Sequence, residues 1–299
     1  MVRFAFVSQV LLCALLWGSA FPLIKTVYGD WESVTLSLCL FFAGIRFSVA
    51  GAGLLMFCSG VGKRLRSANL LLLGLLALTQ TCLQYCGFYA GMIYSSGVLG
   101  ALLVGCGSFW WILLAPTILK TAPPRIGEWL ALSISTLGIV VAVYAPGAGS
   151  GNVWLGALCF LTASFFGALA LIIMRPLSAT LDAKTATGAS LLLGGLVLMA
   201  MGIQSAETFW AGMTFKIGII TVALAAVSAV SFTIWNRLAH THSVNVLASY
   251  RFLIPLSGAI QSCFFIRGEA PGLGIWIGGT LILGSLVSLN RPRQKKGPL

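Results

Sequence analysis

Apolar residues gather along this chain into ten long stretches separated by short polar connections. The stretches run Ser8–Tyr28, Val34–Cys58, Asn69–Gly91, Ser96–Leu119, Ile126–Tyr144, Val153–Met174, Thr187–Gln204, Lys216–Ala239, Val244–Ile266 and Gly272–Leu289. A helix needs about 20 apolar residues to cross the hydrocarbon of a bilayer, so each stretch reads as one membrane-spanning helix. The runs are continuous. A membrane β-barrel would instead alternate polar and apolar residues in segments of about ten. The first stretch continues past the small residues Gly18 and Ala20 to Tyr28, which favours a retained helix over a cleaved signal peptide. The expectation is an all-α polytopic membrane protein with ten transmembrane helices.

Composition excludes the soluble classes. The 299 residues are 59% hydrophobic and only 8% charged, with a mean hydropathy of +1.00. A soluble domain carries about 25% charge, and a disordered chain combines low hydrophobicity with high charge. The net charge of +12 would suggest nucleic acid in a soluble protein. Here its distribution explains it better. With the N-terminus in the cytoplasm, the basic residues on that side are Arg3, Lys63, Arg64, Arg66, Lys120, Arg125, Arg175, Lys184, Arg237 and the four from Arg291 to Lys296. Only Lys25, Lys216 and Arg267 fall on the other side, and Arg46 and Arg251 lie within spans. This bias places both termini in the cytoplasm and leaves no need for a nucleic-acid partner. Short loops and the lack of an organelle signal point to a bacterial inner membrane. The eight cysteines nearly all fall inside apolar runs and read as packing residues rather than as a disulfide framework. Cys82 and Cys86 stand one turn apart, but no His or carboxylate accompanies them. No metal or other cofactor is expected.

A weak internal repeat appears at an offset of 146 residues, where Val98 aligns with Val244 and Leu137-Gly138 with Leu283-Gly284. The Gly-rich segment Ala145–Gly151 divides the halves, 1–147 and 148–299. Five spans per half is an odd number, so a second copy must enter the membrane in the opposite sense. Inverted repeats are typical of alternating-access carriers, with the site near the midplane between the repeats.

The chain resembles the ten-helix, EamA-type members of the drug/metabolite transporter superfamily. The residues that carry the resemblance are Leu16-Trp17-Gly18-Ser19-Ala20-Phe21, Arg46-Phe47, Pro255, Gly268-Glu269 and Ile277–Gly284. The first half departs from the pattern. It has Pro116 in place of a proline near Ser108, and Lys120–Pro124 where a Gly-Glu pair would follow the fourth helix. The resemblance implies a carrier of small metabolites, commonly an exporter of amino acids and related compounds. An Arg at the position of Arg46 is frequent in that family.

Polar groups at membrane depth are the candidates for a site. Gln80 and Gln84 are four residues apart and share one helical face. They serve either a helix–helix hydrogen bond or a cavity lining. Arg46 near the middle of the second span pairs with backbone carbonyls or lipid phosphate, or contacts substrate. Arg251 precedes Pro255, which cannot donate to the Arg251 carbonyl. A guanidinium at such a break suits a carboxylate. Trp17, Ser19, Ser108, Trp110, Ser164, Trp235, Asn236 and Tyr250 complete the candidate substrate-binding set, and Pro22, Pro116 and Pro255 are candidate hinges. Gly274 and Gly278 permit close packing, either within one chain or in a homodimer.

No Asp or Glu lies deep in a span, which disfavours a lipophilic cation as substrate and favours a neutral, zwitterionic or anionic one. The only histidines, His240 and His242, fall in a loop, and no catalytic constellation or ATP-binding motif is present, so no enzyme is expected. The reading is a secondary transporter moving a small polar or amphipathic metabolite, with a facilitative channel or uniport pathway as the alternative.

Overall fold

The computed structural model describes residues 2–118, 120, 123–149, 151–241, 250, 253–266 and 271–289. Among the described residues the structure is helical, without strands. The long elements are α1 (Val2–Asp30), α2 (Leu36–Met56), α8 (Ile126–Val143), α9 (Val153–Leu177), α10 (Ala183–Met201) and α12 (Phe215–Thr241). The third apolar stretch is assembled from α4 (Leu70–Leu76), a π-helical turn (Ala77–Leu83) and α5 (Gln84–Tyr94). The fourth is two helices, α6 (Gly97–Val104) and α7 (Gly107–Ile118). Two short helices, α3 (Val61–Ser67) and α11 (Ala206–Ala211), lie in connections. The last described elements are the apolar helices α13 (Leu253–Phe265) and α14 (Leu273–Leu289). Among the described residues, eight helical stretches are long and apolar enough to cross a membrane, and α13 and most of α14 are shorter apolar helices.

Polar residues set several boundaries. The side chains of Thr35, Asn69, Ser96, Asn152 and Asp182 accept hydrogen bonds from backbone N–H groups three residues on, at 3.0–3.3 Å. Each satisfies a donor that the first turn of a helix leaves open. At Asp182, partial burial pushes the carboxyl pKa up, but hydrogen bonds from Thr185 and Arg64 outweigh it and hold the group below its ordinary value.

The surface of the helix assembly is apolar. Phe215 is 87% exposed, and Met56, Phe264 and Leu71 are similarly bare. The interior, by contrast, holds Arg46, Gln80, Ser190, Ser228 and Asn236. Water would oppose this distribution, whereas hydrocarbon as the surrounding solvent accounts for it.

Taking the apolar stretches in order, the second packs most extensively on the seventh and the fifth on the tenth. The first lies against the eighth and ninth, the third against the sixth, and the fourth against the sixth and ninth. Small residues bring the α2 and α10 backbones together: a Cβ at Gly51 would stand 2.6 Å from the Gly188 carbonyl oxygen, and one at Gly195 2.6 Å from the Ser48 nitrogen. At α8 and α14, a Cβ at Gly138 would stand 2.7 Å from the Gly278 oxygen. Gly278 and Gly274 therefore pack within the chain, against Ala142, Gly138 and Ala145.

Ion pairs and polar contacts gather at the two ends of the assembly. At one end Arg64 pairs with Asp182 at 2.7 Å, Lys184 donates to the Phe57 carbonyl, and Arg237 donates to Gln9. At the other, Lys216 pairs with Asp30 at 2.8 Å.

Candidate functional site

The side chains that build the central cavity come from both halves of the chain. Trp17 and Phe21 enter from α1 and Arg46 from α2. Gln80 comes from the π-helical turn, and Gln84, Tyr85 and Phe88 from α5. Val104 and Gly105 mark the break between α6 and α7. Facing them are Gly167 of α9, Phe232, Trp235 and Asn236 of α12, and Ile254 and Pro255 of α13. The cavity has a volume of about 90 Å³, room for several waters when one needs about 10–15 Å³ on the same measure.

Local backbone irregularity places several of these groups. A π turn carries i→i+5 hydrogen bonds and commonly marks a functional position; here it holds Gln80 at the cavity wall. The fourth stretch breaks at Gly105-Cys106, where a Cβ at Gly105 would stand 2.8 Å from Pro255 Cγ. The proline ring therefore fits only against a glycine. The break falls there and not at Pro116, which lies inside α7. Pro22 likewise lies within the unbroken α1.

Arg46 is 1% exposed and has no acidic partner among the described residues. Its Nη1 donates to the Tyr89 hydroxyl at 2.6 Å and its Nη2 to the Ser228 hydroxyl at 2.9 Å, while its Nε has no partner. The guanidinium carbon stands 4.3 Å from the Phe47 ring centroid, 5.5 Å from that of Tyr85 and 5.8 Å from that of Tyr89. Aromatic faces attract a cation, and these three rings with two hydroxyls hold the charge in place. They do not neutralise it. Arg46 donates to none of the backbone carbonyls read from the sequence as possible partners; its hydrogen-bond partners are side chains.

A second polar group joins the halves. Gln80 donates to the Ser190 hydroxyl at 3.0 Å, and the Asn236 amide donates to Thr187 at 2.8 Å and to Gln80 at 3.4 Å. The Asn236 carbonyl oxygen is buried and has no partner. The indole N–H of Trp17 is likewise buried without an acceptor. The rest of the wall is aromatic: Trp17 meets Phe232 and Trp235 edge to face at 5.2 and 5.4 Å, and Phe88 lies 5.3 Å from Phe21 and 5.5 Å from Tyr85. Toward the Asp30 end, rings close over Tyr89. Phe42 packs on Tyr89 at 6.1 Å and on Trp31 at 5.7 Å, and Phe41 packs on Phe209 at 5.4 Å.

Seven of the residues singled out in the sequence thus share one cavity: Trp17, Arg46, Gln80, Gln84, Trp235, Asn236 and Pro255. Others lie elsewhere. Ser19 donates to its own helix at Leu16. Trp110 donates to the Leu161 carbonyl and to Ser164, both at 3.0 Å, and joins α7 to α9. Ser108 is buried with an unpartnered hydroxyl beside the helix break. Tyr250 meets Phe6 edge to face at 5.3 Å. Arg251 lies outside the described residues. Phe232 lines the cavity although nothing in the sequence separates it from a packing phenylalanine; Phe21 and Phe88, which also line it, had weak signals, the one in the motif with Trp17 and the other four residues beyond Gln84. Among the described residues, no group of three His, Cys, Asp or Glu side chains could hold a metal ion.

No protein-family model matches the chain. It is similar to an uncharacterized transporter of Synechocystis sp. (strain PCC 6803), with 26% identity across 94% of this chain and 88% of that protein. It is also 26% identical to the uncharacterized transporter YvbV of Bacillus subtilis, across 92% of this chain and 88% of that one. A solved crystal structure matches with a TM-score of 0.62 over 96% of this chain and 97% of its own, at 14% identity, which is a likeness of fold alone. Along nearly its whole length, then, this chain is similar to two proteins named as transporters, and its fold has a counterpart among solved structures.

Proposed function

We propose that the protein is a secondary transporter. It moves a small polar or amphipathic metabolite, an amino acid or a related compound, out of the cell by alternating access through the central cavity. In this reading ten helices cross a bacterial inner membrane as two inverted five-helix repeats, 1–147 and 148–299, with both termini in the cytoplasm. The observation that carries the proposal is the cavity itself, which is walled by both halves and holds a charged residue and amides that hydrocarbon packing does not require.

Other features support it. If each apolar stretch is exchanged for the one five places on, the most extensive packing pairs map onto one another: first-with-ninth becomes sixth-with-fourth, and first-with-eighth becomes sixth-with-third. A two-fold related pair of repeats has that property. Arg64, Lys184 and Arg237 meet at one end, as the charge bias requires of the cytoplasmic side. The aromatic seal at the Asp30 end suits a carrier closed on the outside. The relatives named as transporters favour the same class.

The test is entrance counterflow in liposomes across a panel of amino acids, their deaminated acids and nucleosides. Saturable counterflow of any panel member supports a carrier. Flux that rises linearly with concentration and shows no counterflow overturns it in favour of a channel.

A further inference from the structure

The buried charge of Arg46 restricts what the cavity accepts. Two hydrogen bonds engage a group that offers five N–H donors, and both acceptors are neutral hydroxyls. It is the only charged residue among those described at the cavity wall. Elsewhere in the described structure, Asp30 and Asp182 are committed to cations at the ends of the assembly and Glu128 bonds the backbone N–H of Arg125. A cation in a low-dielectric site is stabilised most by an anion that reaches it. The Trp17 indole N–H, which cannot accept, stands unpartnered on the same wall.

We infer that Arg46 is the anion-contacting residue of this cavity, and that the solute is a monocarboxylate of net charge −1 with an apolar body. The inference rests on the transporter reading and narrows its substrate class to anionic relatives of the amino acids. One guanidinium balances one negative charge, so a dianion such as a phosphate monoester would remain half-compensated among the described groups. The walls of Trp17, Phe21, Tyr85, Phe88, Phe232 and Trp235 suit an apolar body and give a simple inorganic anion no counterpart. An ammonium group would find no carboxylate there, only neutral acceptors such as the Asn236 and Gln84 amide oxygens and ring faces, while lying in the field of Arg46. A zwitterion therefore binds less well than the acid that lacks its amine, and a bare ammonium binds least.

The experiment uses the purified full chain and four probes of nearly one shape: 3-phenylpropanoate, 3-phenylpropanamide, phenylalanine and phenethylammonium. Binding is read from tryptophan fluorescence, since Trp17 and Trp235 line the cavity, and from thermal stabilisation. The expected result is that the carboxylate binds at least tenfold tighter than the amide and the zwitterion. Phenethylammonium shows no saturable binding. In Arg46→Gln the carboxylate and amide bind within twofold of each other, and Arg46→Lys restores part of the difference. Equal binding of carboxylate and amide to the native chain overturns the inference without recourse to any variant. So does a preference that survives in folded Arg46→Gln. If none of the four binds to protein that performs counterflow of another solute, the carboxylate assignment falls and the carrier stands. If the carboxylate binds with the expected ranking but no solute undergoes counterflow, Arg46 keeps its role and the carrier reading falls.

Discussion

Replacing Tyr89 with Phe removes one hydrogen bond and almost nothing else. The Tyr89 ring is fully buried and packs on Phe42 and Phe88 at 6.1 and 5.8 Å. Phenylalanine keeps those contacts, so no large cavity opens. What is lost is the acceptor 2.6 Å from Arg46 Nη1. A hydrogen bond to a charged group contributes about 1.5–3 kcal/mol, and a buried donor left without a partner bears that cost in full. Tyr89→Phe should therefore destabilise the fold by about 2 kcal/mol. For a chain of this size that is a fall in melting temperature of about 4 °C. Tyr85→Phe is the control, because Arg46 lies over the Tyr85 ring and does not bond its hydroxyl. It should change stability by less than about 0.5 kcal/mol. Thermal unfolding of both variants in one detergent, followed by intrinsic fluorescence, gives the comparison. If Tyr89→Phe melts no lower than Tyr85→Phe, the Arg46–Tyr89 bond contributes nothing net and the account of how this charge is held is wrong.

Three further outcomes are expected. Gly138→Leu should separate α8 from α14, because even a Cβ there would stand 2.7 Å from the Gly278 oxygen; overpacking of this kind costs about 1–3 kcal/mol, and a variant that melts with the native chain would contradict the packing. Trp110→Phe loses the bonds to Ser164 and the Leu161 carbonyl, so it should lower stability by about 1–2 kcal/mol yet leave ligand binding within twofold, measured by titration in the same detergent. The Asp182 carboxyl has its pKa held low in the folded chain, so its contribution is present above the unfolded value of about 4 and is lost as pH falls through the folded value. The melting difference between the native chain and Asp182→Asn should therefore be present at pH 6, at no more than about 1 kcal/mol for so exposed a pair, and absent near pH 2.

The long apolar stretches were legible in the sequence because hydrocarbon imposes length and composition directly. The polar caps at Thr35, Asn69, Ser96, Asn152 and Asp182 mark where several begin. Interruptions inside a stretch were not legible. Neither Ala77–Leu83 nor Gly105-Cys106 carries a proline, and each depends on what packs against it. The visible prolines do not mark these interruptions, since Pro22 and Pro116 stand within continuous helices. At the cavity, a shared helical face signalled Gln80 and Gln84, and a polar side chain at membrane depth signalled Asn236. Arg46 was ambiguous because one arginine in a span looks the same whether it meets a carbonyl, a lipid or three rings. Only the packing of Phe47, Tyr85 and Tyr89 around it decides.

The glycine contacts between α2 and α10 have a mechanical consequence. At Gly51 and Gly195 main chain meets main chain, with no layer of side chains between to repack or change rotamer. A joint of that kind has little elasticity. Leucine layers can absorb an ångström of displacement by shifting methyl groups, but touching backbones can only pivot or part. Because the joint links a helix of residues 1–147 to one of residues 148–299, it would be the fulcrum of the rocking motion proposed for the carrier, and a small tilt at one end of the assembly would then reappear at the other with opposite sign.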